Sequence, residues 1–116
     1  LAGHLREMAL GSGCAAELSL SQIPIWPAAL SYSAQGIRPG RTEEVIADLD
    51  PVIDWGTADD GWKGLLADPQ TSGGLLMSVD PARADVLIEA LARRGEPAAV
   101  VGRMVDGESG RITIKE

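Results

Sequence analysis

The sequence predicts an α+β fold, with helices layered on a mixed sheet, and three segments carry that prediction. From Cys14 to Leu20 the residues Cys14, Ala16, Leu18 and Leu20 fall on one parity, the period of a half-buried strand. Ala84, Leu87, Ile88 and Leu91 recur at helical spacing and form an apolar stripe. Ala98 to Val105 and Arg111 to Lys115 read as two strands joined by Asp106-Gly107-Glu108-Ser109-Gly110, a connection that predicts a hairpin. Helices and strands in this mixed order bury their apolar faces by layering around one core.

The remaining elements follow from local signals. Leu1, Leu5 and Met8, with Ala2 and Ala9 beside them, predict a first helix that stops at Gly11-Ser12-Gly13. Ile23-Pro24-Ile25-Trp26-Pro27 excludes regular structure, and Pro27 suits the first turn of a short helix over Ala28 to Ala34, ended by Gly36. Between Arg38 and Asp60 the punctuation by Pro39-Gly40, Pro51 and Gly56 predicts a largely irregular excursion. Asp59 to Ala67 reads as a short helix with Trp62, Leu65 and Leu66 inward; it ends before Asp68-Pro69 because a residue preceding proline avoids the α region. Leu75 to Val79 has the length and apolarity of a buried strand. Asp80 and Pro81 are the cap and first residue of the next helix, over 81–94, which Gly95 terminates. Its stripe is expected to pack on the sheet.

Composition narrows the function. With 116 residues, 45% hydrophobic and 23% charged, the chain is of a size to fold around one core. The net charge of −7, with three Trp, one Tyr and no Phe, argues against nucleic acid, which needs cations for phosphates and aromatics for bases. No apolar run is long enough to span a bilayer and no signal-peptide pattern is present, so no membrane partner and a cytoplasmic location are expected. The single cysteine, Cys14, has no internal partner, which fits a reducing compartment. The chain begins at Leu1 inside a predicted helix, and is expected to be a fragment of something longer.

One segment has the make-up of a binding loop. Asp68, Gln70, Thr71, Ser72, Gly73 and Gly74 lie directly before the apolar run, with two hydroxyls to donate and two glycines that let backbone amides approach an anion. The alternative is a tight turn in which Ser and Thr satisfy local backbone groups. The loop lacks the Gly-Lys-Ser/Thr of a Walker motif. His4 is the only histidine, so no histidine-based metal cluster or two-histidine catalytic pair is possible, and it is expected at the surface. Cys14, on the inward parity, is expected to be inert. Asp48, Asp50, Asp54, Asp59 and Asp60 lack the spacing of a calcium loop and read as a solvated acidic surface. No catalytic residue and no metal ligand is therefore assigned within the chain.

Gly3-His4-Leu5-Arg6-Glu7-Met8 with Gly11-Ser12-Gly13, then Asp68-Pro69-Gln70-Thr71-Ser72-Gly73-Gly74-Leu75-Leu76, then Val101-Gly102-Arg103, resemble the C-terminal half of the selenophosphate synthetases (selenide, water dikinases) in order and spacing. The resemblance runs from Leu1 to about Ile114, and its most specific part is the 68–76 string. It implies the C-terminal domain fold of the aminoimidazole ribonucleotide synthetase superfamily, an α/β/α arrangement partly like a ferredoxin. It also implies an ATP- and magnesium-dependent enzyme that makes selenophosphate from selenide and water, releasing AMP and phosphate. In that family the reactive Cys or selenocysteine, its partner Lys and most metal-binding aspartates lie in the N-terminal half, whose strands also form a homodimer.

On this resemblance residues 1–116 are a C-terminal domain whose partners are the N-terminal catalytic domain and, in the intact enzyme, ATP and its phosphates. Neither ATP nor magnesium is expected to bind tightly to the chain alone. After Pro39-Gly40 the family continues Gly-Thr-x-x-Asn, where this chain has Arg41, Thr42 and Val45, a departure that bears on any ligand role of that loop. Two other readings stay open: a non-catalytic module derived from such an enzyme, and the equivalent domain of a relative such as thiamine-monophosphate kinase. The 68–74 string argues against the latter.

Overall fold

The computed structural model describes residues 1–116 and has five α-helices and a four-stranded mixed sheet, the predicted α+β class. The elements are α1 (Ala2–Gly11), β1 (Ala15–Ser19), α2 (Pro27–Ala34), α3 (Thr42–Leu49), β2 (Ile53–Asp54), α4 (Asp60–Leu66), α5 (Pro81–Ala92), β3 (Gly102–Val105) and β4 (Ile112–Lys115). The sheet order is β2-β4-β1-β3. β4 runs parallel to both β1 and β2, and β3 runs antiparallel to β1.

The alternation read in β1 holds where it matters. Ala16, Leu18 and Leu20 are buried together with Ile112 and Ile114 of β4 and Ile53 of β2, while Leu5 and Ala9 of α1, Leu49 of α3 and Leu66 of α4 complete the core. Ala15, on the other parity, is buried too, whereas Cys14 is only half-buried, its thiol 3.8 Å from the Ala9 carbonyl. On the opposite parity Glu17 receives Arg103 at 2.7 Å and Lys115 at 3.7 Å from the two flanking strands. The hydrogen bond and charge of Arg103, with Lys115 assisting, hold the Glu17 carboxyl below its ordinary range.

Four expectations are corrected. The segments 98–105 and 111–115 do not pair as a hairpin, because β1 lies between β3 and β4 and takes one ladder from each. Their connection closes over the end of β1, with the Gly110 amide donating to the Cys14 carbonyl at 2.9 Å. The stretch 38–60 is not an irregular excursion: α3 fills 42–49, with Glu43 and Glu44 in its first turn and Val45, Ile46 and Leu49 toward the core. Acidic groups at a helix start and one apolar face outweigh the flanking Pro and Gly, which bound the helix without interrupting it.

The third correction concerns Leu75 to Val79, which form no strand; Leu75 is 88% exposed and only Leu76 packs on the core. No backbone hydrogen bond joins residues 69–79 to the rest of the chain. An apolar run of strand length specifies no pairing partner, and here none is supplied. Fourth, α5 has its predicted cap, with Asp80 accepting from the Ala82 amide at 2.9 Å, yet none of its residues is buried. Ala84, Leu87, Ile88 and Leu91 are half-exposed, so the stripe is real but thinly covered. Leu87→Ala is accordingly expected to cost about 1 kcal/mol or less, rather than the ~2–5 kcal/mol of a fully buried leucine. Urea unfolding of that variant checks it, and a loss above that range would mean that α5 is covered after all. No helix is long and apolar enough to cross a membrane.

Candidate functional site

The 68–74 loop is positioned by α4. Asp59 caps this helix by accepting from the Trp62 amide at 2.9 Å, and Leu66 and Ala67 anchor its end in the core. The helix packs closely on α2 because two of its residues are glycines. The Ser33 hydroxyl donates to the Gly61 carbonyl at 2.8 Å, and a side chain at Gly64 would run into Ser33 and Arg38. Arg38 locks the crossing: its side chain, 8% exposed, donates to the Ser33 carbonyl at 2.9 Å, to Glu43 at 2.7 Å, and to both the carbonyl and carboxylate of Asp60. These partners, Asp60 foremost, raise the Arg38 pKa further and keep the guanidinium charged.

Past α4 the Asp68 amide donates to Leu65 at 3.3 Å, and Pro69 turns the chain outward. Asp68 is half-buried, and Gln70, Thr71, Ser72, Gly73 and Gly74 are exposed. The Gln70 side-chain carbonyl accepts from the Ser72 amide at 3.3 Å and so shapes the turn. The Thr71 and Ser72 hydroxyls and the Gly73 and Gly74 amides have no partner in the chain. Added side-chain carbon at Gly74 would meet nothing, and at Gly73 only Gln70. The loop thus presents hydrogen-bond donors to solvent on a backbone without obstruction. It brings no free cation with them: Arg38 shares a cavity of about 230 Å3 with Asp68, but its donors are already engaged.

The other candidate residues have structural roles. His4 is exposed beside Glu7 at 3.2 Å. Asp50 accepts from the Trp55 indole at 2.7 Å, Asp54 from the Gly56 amide at 3.1 Å, and Asp60 from Arg38. No three His, Cys, Asp or Glu side chains converge as a metal site would require. The departures at 41 and 45 also serve the fold, since Val45 packs on the core and Arg41 precedes α3, 3.3 Å from Glu44. What the sequence did not reveal is a second concavity of about 310 Å3 adjoining the loop, lined by Leu1, Ile23, Ile25, Trp62 and Leu65 together with Asp68 and Gln70. Its only sequence signal is the apolar Ile23-Pro24-Ile25-Trp26 stretch, which carries no periodicity.

The fold is thus a mixed-sheet α+β domain in which an exposed loop with free hydrogen-bond donors leaves a core helix. Residues 1–115 match the family described as AIR synthase related protein, C-terminal domain, and the chain belongs to that family. It is similar to the selenide, water dikinases of Cronobacter sakazakii (39% identity over 116 residues), Pelobacter propionicus (39% over 115) and Yersinia pestis (42% over 116). These alignments cover 97–99% of the chain and 32–33% of each relative, so the chain spans about a third of the length of the curated relatives it matches.

Proposed function

We propose that the chain is the C-terminal domain of an ATP-dependent selenide, water dikinase and that its 68–74 loop walls the phosphate-bearing part of the nucleotide site. The observation that carries this reading is the exposed Asp68-Pro69-Gln70-Thr71-Ser72-Gly73-Gly74 loop, whose two hydroxyls and two glycine amides have no partner within the chain. Donors of this kind suit phosphate oxygens. Magnesium fits the chain less well: of the loop's groups only Asp68 offers a carboxylate, and no cluster forms around it, so the ion's remaining ligands would come from outside. The catalytic groups likewise belong to the N-terminal domain, the proposed partner, and the intact protein is a homodimer in this reading. The chain by itself is expected to fold without producing AMP from ATP and selenide.

The test is Thr71→Ala and Ser72→Ala in the intact protein. A lost donor to a charged oxygen costs about 1.5–3 kcal/mol, so turnover should fall roughly 10- to 100-fold for each hydroxyl that contacts phosphate. Both side chains are exposed, so melting should not change. Unchanged turnover, or turnover lost only in step with stability, would reduce the loop to a turn.

A further inference from the structure

The 68–74 loop owes its shape to one side chain. Across residues 69–79 the only hydrogen bond, from backbone or side chain, is the one that the Gln70 side-chain carbonyl accepts from the Ser72 amide at 3.3 Å. That bond spans Thr71 and ends on Ser72, so it closes the stretch that carries both free hydroxyls.

The surroundings of Gln70 suit this task. It lines the groove of about 310 Å3 beside α4, with Trp62 and Leu65, where its aliphatic stem has apolar surface at hand. A Cβ at Gly73 would stand 3.3 Å from the Gln70 Cγ, so the glycine leaves the room in which the side chain folds back over the turn. A side-chain oxygen accepting the amide two residues on is the device by which Asn and Asp hold turns, and Gln70 makes it with one more methylene. An exposed loop with no other internal bond samples many conformations, and that freedom is lost when its donors meet an anion. A side chain that already closes the turn reduces the loss.

We propose that Gln70 is a positioning residue. By holding the Ser72 amide, its carbonyl sets the Thr71 and Ser72 hydroxyls and the Gly73 amide in the arrangement that receives phosphate oxygens, without touching the phosphate itself. The proposal rests on the reading of the loop as the wall of a phosphate-bearing site, and it names the group that organises that wall.

The experiment uses the full-length protein with Gln70→Met, Gln70→Asn, and the pair Thr71→Ala/Ser72→Ala with and without Gln70→Met. Methionine keeps the length and the apolar stem but not the acceptor, so selenide-dependent ATP turnover should fall roughly 10-fold. Asparagine remakes the bond as an Asx turn and should restore most of it. Because Gln70 acts through the two hydroxyls, adding Gln70→Met to the Thr71/Ser72 pair should cost little more than the pair alone. Gln70 is exposed, so melting should not move in any variant. Millisecond amide exchange over residues 69–76, read by mass spectrometry, should quicken with methionine and slow again with asparagine.

Unchanged turnover with methionine, a loss that asparagine does not restore, or losses that multiply in the combined variant each overturn the proposal; the last would make Gln70 a direct contact of the anion. If the unsubstituted protein has no dikinase turnover, or the Thr71/Ser72 pair leaves it unchanged, the functional reading fails instead. Amide exchange then decides whether Gln70 holds the turn, and exchange indifferent to methionine overturns the proposal in either case.

Discussion

Gly102→Ala is expected to separate β3 from β1 and to destabilise the chain by more than the ~1–3 kcal/mol usual for an overpacked site. Gly102 lies opposite Leu18 in the antiparallel ladder, and a Cβ there would fall on the Glu17 carbonyl and within 3.1 Å of the Leu18 Cα. Backbone cannot rotate aside as a side chain can, so relief requires the strands to part. That loss removes the Ser19 amide bond to the Val101 carbonyl, 2.9 Å, and the Glu17–Arg103 contact with it. Chemical denaturation and far-UV circular dichroism of the variant check the expectation, and a midpoint unchanged from the parent chain would show that the strands are less closely apposed than described. The Val101-Gly102-Arg103 string that helped to place the family therefore has a structural explanation. Val101 packs on the core, Gly102 permits close approach, and Arg103 pairs with Glu17.

Leu66→Ala is expected to cost about 2–5 kcal/mol. Leu66 is 2% exposed, at the end of α4, where it joins the core to the root of the 68–74 loop. The cavity left behind would open beneath both the loop and the groove, so thermal stability and the order of the loop should decline together. Denaturant titration measures the first, and protease susceptibility around Pro69 measures the second. A cost near that of Leu87→Ala would mean that α4 does not anchor this end of the molecule.

The sequence made legible those features that a short window specifies. The helices α1, α2 and α4 and the strand β1 were readable because caps, prolines and one repeating face lie within each segment. The Asp68 to Gly74 loop was readable for the same reason, since its hydroxyls and glycines are adjacent in sequence and its exposure follows from Pro69 and the glycines. Pairing was not readable. That β1 lies between β3 and β4 depends on which residues meet across some ninety positions, as Ala16 does with Ile112, and a local pattern holds no register information. The α5 stripe was detected correctly and its covering was not, because periodicity reports that a face exists without naming what opposes it. The groove escaped for a related reason: its walls come from the chain start, the Ile23 to Ile25 segment and α4.

The position of β4 has a consequence for biosynthesis. Although it follows β1, β2 and β3 along the chain, Ile112–Lys115 occupies an interior place in the sheet, parallel to β1 and to β2. Until β4 has been made, β1 and β2 have no ladder to each other, and Leu18 and Ile53 have no finished core to enter. Sheet closure waits on β4 and on contacts of long sequence separation, which fold slowly. A polypeptide truncated before Ile112 would lack the strand that joins β2 to β1, leaving apolar edges exposed to aggregation or degradation.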